Sequence, residues 1–393
     1  MATARFLHAA DLHLGSPLNS LGLKVSPEIH ELAKKQVNTV FQNLVNVAKS
    51  EQVDFVVLAG DIYDTADRDP GAQIRVNLGL RELSEAGIKV FLVHGNHDPL
   101  TPDYLSGRSL PNGVFVFPAS EVTSHSVTMS NGAEVTVAGI SYKTVAEENN
   151  LSQLFSAVTG QTIIGVLHTN VGGNNQHGNY APCSPSDLQS SPVNYWALGH
   201  IHDRQVHTTP KGFWAYPGNL QGRSTKATEC GPKGVLIVEV DEDGSLETPR
   251  FVPCDALRFQ RLFIDLSPVS DHNDVLDITI NALQDAVNNA DGRSLMVRLE
   301  FIGATAIYSD LAKDFEKIAR NILDTSSDIM GNGAVIKIRQ SCRPAIDLTL
   351  ERGRGTLLGN LLLDLDAKPK EEVDDELRSA VELLLVNALD GGK

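Results

Sequence analysis

Seven side chains in five short motifs could together bind two divalent cations. They are Asp11 and His13 of Asp11-Leu12-His13, Asp61 after Gly60, Asn96 of Gly95-Asn96-His97-Asp98, His168, and His200 and His202 of Gly199-His200-Ile201-His202. Carboxylate, amide and imidazole donors without a thiolate suit manganese or zinc-like ions, and a pair of such ions can clamp the attacking and leaving oxygens of an in-line displacement at phosphorus. This chemistry predicts metal-dependent hydrolysis of a phosphoester. Any one of these histidines alone would read as a core or surface residue; five motifs in one chain reverse that balance.

The spacing assigns roles. Asp11 and His13 stand two apart, so a bend at a strand end can turn both towards one ion. Asp61 can bridge with its two carboxylate oxygens, Asn96 offers a carbonyl oxygen to the second ion, and His200 and His202 fit one to each. His97 is expected not to be a ligand. It is placed to act as general acid, or as a cation that stabilises charge on the phosphoryl oxygens and leaving group. Asp64 is the candidate to hold its imidazole in orientation, the plain alternative being a turn residue. Arg223 and Lys226 are candidate phosphate contacts, with solvated surface charge an equal alternative; Arg343, Arg352 and Arg354 are weaker ones. His177 is marginal, and His8, His30, His94, His125, His207 and His272 stand outside the constellation.

Strands must deliver these motifs. Strand patterns over residues 5–10, 54–59, 89–93 and 162–167 alternate with helical patterns over 28–50, 70–86 and 144–157, which predicts an α/β core. Each motif follows the C-terminal end of its strand, where open α/β sheets place ligands. From Val114 onward short strands with Gly and Asn turns take over, including 204–209, 212–216, 234–240 and 247–252, and a two-sheet sandwich with flanking helices accommodates both halves. The Gly- and Asn-rich stretch 170–192 reads as a long loop rimming the site.

A boundary near Val252-Pro253-Cys254-Asp255 is expected, dividing the chain into 1–254, a smaller α/β domain over 255–342 and a C-terminal helical segment over 343–393. The second domain reads as strand 260–266, helix 271–289, strand 294–301, helix 307–323 and strand 334–339. In the tail, a short helix over 357–363 precedes an amphipathic one over 371–389, with Val373, Leu377, Val381, Leu384, Leu385 and Leu389 at helical spacing. That stripe fits either intramolecular packing or partner docking.

Composition sets limits. The chain has 393 residues, 33 basic against 49 acidic, and a net charge of −16, which repels polyanions at long range and leaves only a local nucleic-acid site, where bound dications reverse the field. Apolar runs are far shorter than the roughly 20 residues of a membrane span, and no leader pattern opens the chain, so a cytoplasmic location is expected. The four cysteines, Cys183, Cys230, Cys254 and Cys342, lack C-x-x-C spacing and are expected to be reduced. No Gly-rich phosphate loop for ATP is found.

Asp11-x-His13, Gly60-Asp61-x-x-Asp64, Gly95-Asn96-His97-Asp98, His168 and Gly199-His200-x-His202, in that order, resemble the calcineurin-like metallophosphoesterase superfamily. Phe6 to His13, Asn179 to Cys183, Tyr195 to His202 and Tyr216 to Arg223 are similar, more narrowly, to bacterial DNA repair exonucleases of the SbcD and YhaO type. The resemblance covers roughly residues 1–255. It implies a two-sheet αββα metallophosphoesterase sandwich with a smaller α/β capping domain that presents DNA. It also implies a manganese-dependent nuclease, exonucleolytic and also endonucleolytic, at DNA ends in repair. By the family pattern one ion takes Asp11, His13, Asp61 and His202, and the other Asp61, Asn96, His168 and His200, with His97 catalytic. Further implied are an SMC-like coiled-coil ATPase of the SbcC or YhaN type bound by the C-terminal helices, and homodimers, which are frequent in the family. Thr65, where superfamily protein phosphatases carry Arg, disfavours phosphomonoester chemistry. A small-molecule or cyclic-nucleotide phosphodiesterase, or a scaffold for an ATPase complex, are the competing readings.

Overall fold

The computed structural model describes residues 3–64, 69–101, 110–173 and 178–345, with positions 350, 352, 353, 355, 356, 359, 360, 363 and 367 beyond them. His177, Thr65, Arg354 and the amphipathic stretch 371–389 lie outside the described residues.

The first region begins with the strands β1 (Ala4–Ala9), β2 (Phe55–Ala59), β3 (Lys89–Val93), β4 (Val114–Val116), β5 (Thr123–Thr128), β6 (Glu134–Gly139) and β7 (Thr162–His168). They are followed by β8 (Tyr195–Gly199), β9 (Gln205–Thr209), β10 (Gly212–Tyr216), β11 (Gly234–Val240) and β12 (Arg250–Pro253). These form two six-stranded sheets, ordered β12-β11-β1-β2-β3-β4 and β5-β6-β7-β8-β10-β9. The pairs β1–β2, β2–β3 and β7–β8 are parallel, so their C-terminal ends share one edge of the sandwich.

Alternation of side chains divides the core into layers. Phe6, Phe55, Val57 and Phe91 of the first sheet pack with Val135, Val137, Ile164, Val166 and Tyr195 of the second. On the outer face of the first sheet, Leu7, Val56, Leu58 and Leu92 meet Phe41, Leu44, Val76 and Leu80 from helices α2 (Val40–Ser50) and α3 (Pro70–Glu85). The second sheet covers its outer face with Leu151, Phe155 and Leu188 against Leu167, Trp196 and Leu198. This is the two-sheet α/β sandwich that the sequence implied.

Three helical or loop segments of this region differ from expectation, and the strand expected over 247–252 begins only at Arg250. The periodic stretch 28–50 is two helices, α1 (Pro27–Val37) and Val40–Ser50, because the Thr39 hydroxyl donates to Gln36 O and Asn38 caps the first. The helix expected over 144–157 shrinks to a 3-10 turn, Leu151–Ala157. There the Glu147 side chain accepts from Asn149 N, at 2.9 Å, and Asn150 accepts from Ser152 N, local bonds that compete with a helix. Within the loop expected over 170–192, Ser184 and Asp187 close a capping box that starts a short helix, Pro185–Ser190.

Beyond Cys254 the strands β13 (Leu257–Asp265), β14 (Ser294–Ile302) and β16 (Ala334–Gln340) are hydrogen-bonded in that order, and β15 (Ala304–Thr305) pairs with β17 (Arg343–Pro344). Helices Asp274–Asn288 and Tyr308–Met330 complete this region; the second runs past the expected end at residue 323. The chain divides into two compact units, 1–261 with 287–297 and 330–336, and the remainder. Inside the first unit, buried Asp255 accepts from Arg258 Nε at 2.9 Å and pairs with Arg293 Nε at 2.9 Å, tying residue 293 to the sandwich chain.

Candidate metal centre

The ends of β1 and β2 are zipped together: Asp11 N donates to Gly60 O at 3.1 Å, His13 N to Asp61 O at 2.9 Å and Leu14 N to Ile62 O at 3.0 Å. Asp11, His13 and Asp61 have φ of 50°, 43° and 50°, and His200 has 105°. Four of the predicted donors thus occupy the left-handed region that L-residues rarely adopt, at a cost of about 1–3 kcal/mol each. The bends swing their side chains inward, over the parallel strand ends. Gly60 and Gly199 permit the convergence, since a Cβ on Gly60 would strike the His168 ring and one on Gly199 would strike Ala59 O.

The structure brings all seven expected donors together, and all seven are buried except for a modest exposure of the His202 side chain. Around Asp11 lie His13, His202 and Asp61. His202 Nε2 is 3.2 Å from His13 Nε2 and 4.0 Å from Asp11 Oδ1, and His13 Nε2 is 3.7 Å from Asp61 Oδ2. Asp61 Oδ2 also lies 3.5 Å from His168 Nε2, while Asn96 Oδ1 lies 3.0 Å from His168 Nε2 and 3.3 Å from His200 Nδ1. Asp61 therefore stands between two groups of donors. The sets Asp11, His13, His202 and Asp11, Asp61, His168 each keep their donor atoms within 4.8 Å of one another, as does His13, Asp61, His97.

Proton placement tests whether cations fit. The His168 Nδ1–H donates to Ala59 O at 3.0 Å, that of His200 Nε2 to Gly178 O at 2.7 Å, and that of His202 Nδ1 to Glu229 Oε1 at 2.6 Å. In a neutral imidazole this leaves the inner nitrogen as a lone pair. Those of His168 and His200 face Asn96 Oδ1, and that of His168 also faces Asp61 Oδ2, which are acceptors too. Burial holds the His168 pKa down at about 4, and burial with the Arg223 charge holds that of His13 well below its ordinary value, so neither relieves the crowding by protonating near neutrality. Burial and the neighbouring Asp61 carboxylate push Asp11 well above the usual carboxylate range; burial and Asp98 push Asp61 to about 7. Acceptors converging on acceptors, beside two carboxylates raised by burial and neighbouring charge, are what divalent cations stabilise, so the donor set fits them.

His97 is exposed beside this cluster. Its N–H donates to Asp61 Oδ1 at 2.9 Å, and its Nδ1–H to the main-chain carbonyl of Asp64 at 2.8 Å. The expected Asp64 carboxylate is not the group that orients this ring. That carboxylate lies 3.2 Å from His13 Nδ1 and pairs with Arg223 Nη1. The His13 contact is at ion-pair range but off the line of a hydrogen bond. Arg223, expected at a phosphate, is thus engaged with Asp64; Lys226 is exposed at the start of a 3-10 turn, Ala227–Glu229.

Several supporting residues were given no role by the sequence. Glu229 is buried, and although burial raises its pKa, the His202 ring and the Arg223 charge outweigh this and hold it at about 2. Lys233 Nζ donates to His202 O at 2.8 Å. Buried Asp98 accepts from Ile62 N at 3.0 Å and Gly95 N at 3.0 Å, joining the loops after β2 and β3. His8, left unassigned, is buried 3.0 Å from the Tyr195 hydroxyl and has its pKa lowered by burial to about 3.

Residues 4–204, just over half of the chain, match the family model described as calcineurin-like phosphoesterase. The chain belongs to the calcineurin-like phosphoesterase family. Members of this family use divalent metals, in keeping with the donor set. Residues 259–342 match a second model, the middle domain of metallophosphoesterase YhaO. Among relatives, the "Uncharacterized metallophosphoesterase YhaO" of Bacillus subtilis is 35% identical over 237 residues, 60% of this chain and 57% of that protein. One subunit of the "Nuclease SbcCD" of Bacillus subtilis is 28% identical over 272 residues, 60% and 66% of the two chains. The "DNA double-strand break repair protein Mre11" of Sulfurisphaera tokodaii is 25% identical over 249 residues, 62% and 61%. In all three the aligned part spans under two thirds of the relative's length. No helix among the described residues is long and apolar enough to cross a membrane.

Proposed function

We propose that this protein is a two-metal phosphodiesterase that cuts DNA, exonucleolytically and also endonucleolytically, with manganese as its working ion. The observation that carries the reading is Asp61, whose Oδ2 lies 3.7 Å from His13 Nε2 and 3.5 Å from His168 Nε2, between two groups of donors. Asp11, His13, Asp61 and His202 would hold one cation, and Asp61, Asn96, His168 and His200 the other. When bound, the ions supply Lewis-acid polarisation of the phosphoryl oxygens and a water acidified towards about pKa 7. The chain does the rest. Asp11 and Asp61 balance charge, the strand ends fix the donors, and His97 faces the open side of the cluster. Because Nδ1 of His97 is committed to Asp64 O, its Nε2 is the atom that would deliver a proton to the leaving sugar oxygen.

Two relatives are named for DNA repair and nuclease function, which favours DNA over a small diester. The nuclease relative is also named as one part of a larger enzyme; by analogy, residues 371–389 would dock a coiled-coil ATPase partner. Incubation of the full chain with end-labelled linear DNA and manganese tests the reading. Metal-dependent shortening that is lost in His97→Ala supports it. Intact DNA alongside rapid turnover of bis-p-nitrophenyl phosphate or cyclic nucleotides would replace it with a small-substrate phosphodiesterase, and no turnover of either would leave the scaffold reading.

A further inference from the structure

The histidines of the two donor groups are backed by different chemistry. His168 and His200 give their outer N–H to main-chain carbonyls, Ala59 O at 3.0 Å and Gly178 O at 2.7 Å. His202 gives its outer N–H to the Glu229 carboxylate at 2.6 Å, and His13 Nδ1 lies 3.2 Å from the Asp64 carboxylate. These two carboxylates come from distant parts of the chain and meet at one residue. Arg223 Nη1 pairs with Asp64 Oδ1, its Nη2 lies 4.0 Å from Glu229 Oε1, and its backbone N–H donates to Glu229 Oε2 at 2.8 Å. Asn219 Nδ2 donates to the same Glu229 oxygen at 2.9 Å, so both oxygens of that carboxylate are committed.

We propose that Arg223, Glu229 and Asp64 form a positioning unit for His13 and His202 alone, so that the two cation sites differ in what controls their affinity. This rests on the two-metal reading above. Glu229, by accepting the His202 N–H, fixes that ring and raises the basicity of its opposite nitrogen, and Asp64, which makes no hydrogen bond to His13, acts on that ring through its negative charge at 3.2 Å; a neutral carbonyl fixes a ring with less gain in basicity. The planar guanidinium can hold two carboxylates at once; an ammonium at the same place cannot fork. Asp64 carries a second consequence, because its main-chain carbonyl receives the His97 Nδ1–H. Arg223 is thereby a positioning residue, not a phosphate contact.

Manganese titration of the full chain by calorimetry tests this, comparing wild type with Glu229→Gln and Arg223→Lys. Far-UV circular dichroism and melting of the cation-free proteins confirm that each variant is folded, and if one is not, the other carries the test. The inference expects two sites in wild type and, in each variant, about 10–100-fold weaker binding at one of them with the other unchanged. Wild-type affinity at both sites in both variants, or equal weakening of both sites, would overturn it. Selective weakening supports it whether or not the wild type cuts DNA, so failure of the nuclease reading is seen separately in the DNA assay.

Discussion

The Nε2 atoms of His13 and His202 face one another at 3.2 Å beside Asp11 and Asp61, a set of donor atoms that a shared cation would gather. Because Asp61 lies between both groups, Asp61→Ala is expected to lose both ions and all hydrolysis; two tightly bound metals per chain by elemental analysis would contradict the bridge. His97→Ala should keep its metal and lose about 10²–10⁴-fold in rate, since it removes a proton donor and no ligand. Protons should also leave on binding. Asp61 is raised from 3.8 to about 7 in the cation-free fold, so at roughly pH 6 it keeps a proton that a cation must displace. Apparent affinity should therefore fall as pH drops below about 7, with heats of binding that depend on the ionisation heat of the buffer; buffer-independent heats would deny it. At this scale the donor types were legible because each motif sets them at a strand end. Glu229 was not, because it lies 27 residues from His202 in an ordinary 3-10 turn and only the fold brings the two together.

At the scale of elements, the site depends on how closely three strand ends approach. A methyl group on Gly199 would meet Ala59 O and the His168 ring, so Gly199→Ala should lower stability by about 1–3 kcal/mol and weaken cation binding as well. An unchanged urea midpoint would show that β8 and β2 can part without cost. Strands 89–93, 212–216 and 234–240 were read to the residue, since buried β-branched and aromatic runs between turn signals have one plausible partner, a sheet. Helix limits were less legible. The Thr39 hydroxyl splits one periodic stretch and the Glu147 and Asn150 side chains forestall another, both by bonding backbone groups that periodicity does not register. The positive φ of Asp11, His13 and Asp61 was also invisible beforehand, because nothing in the residue types demands it.

For the whole molecule, a net charge of −16 works against long-range attraction to DNA, so affinity should rest on few phosphate contacts and on the bound cations. A shallow fall of DNA affinity with salt, together with strong dependence on manganese, is expected from filter or fluorescence titrations; a steep salt dependence without metal would point to a basic surface elsewhere. Removing residues from about 356 onward should spare hydrolysis and weaken association with a coiled-coil ATPase, and undiminished association would place the docking elsewhere. The two-unit division with interleaved segments was less legible than the sandwich, because the Asp255 link to Arg293 is a long-range pairing with no local pattern. All of these expectations depend on a binuclear centre. Anomalous diffraction at the manganese edge from crystals of the full chain tests it most directly. The account predicts two peaks, one among Asp11, His13 and His202 and one among Asn96, His168 and His200, with the Asp61 carboxylate touching both. A single peak, or none at saturating manganese, would contradict it.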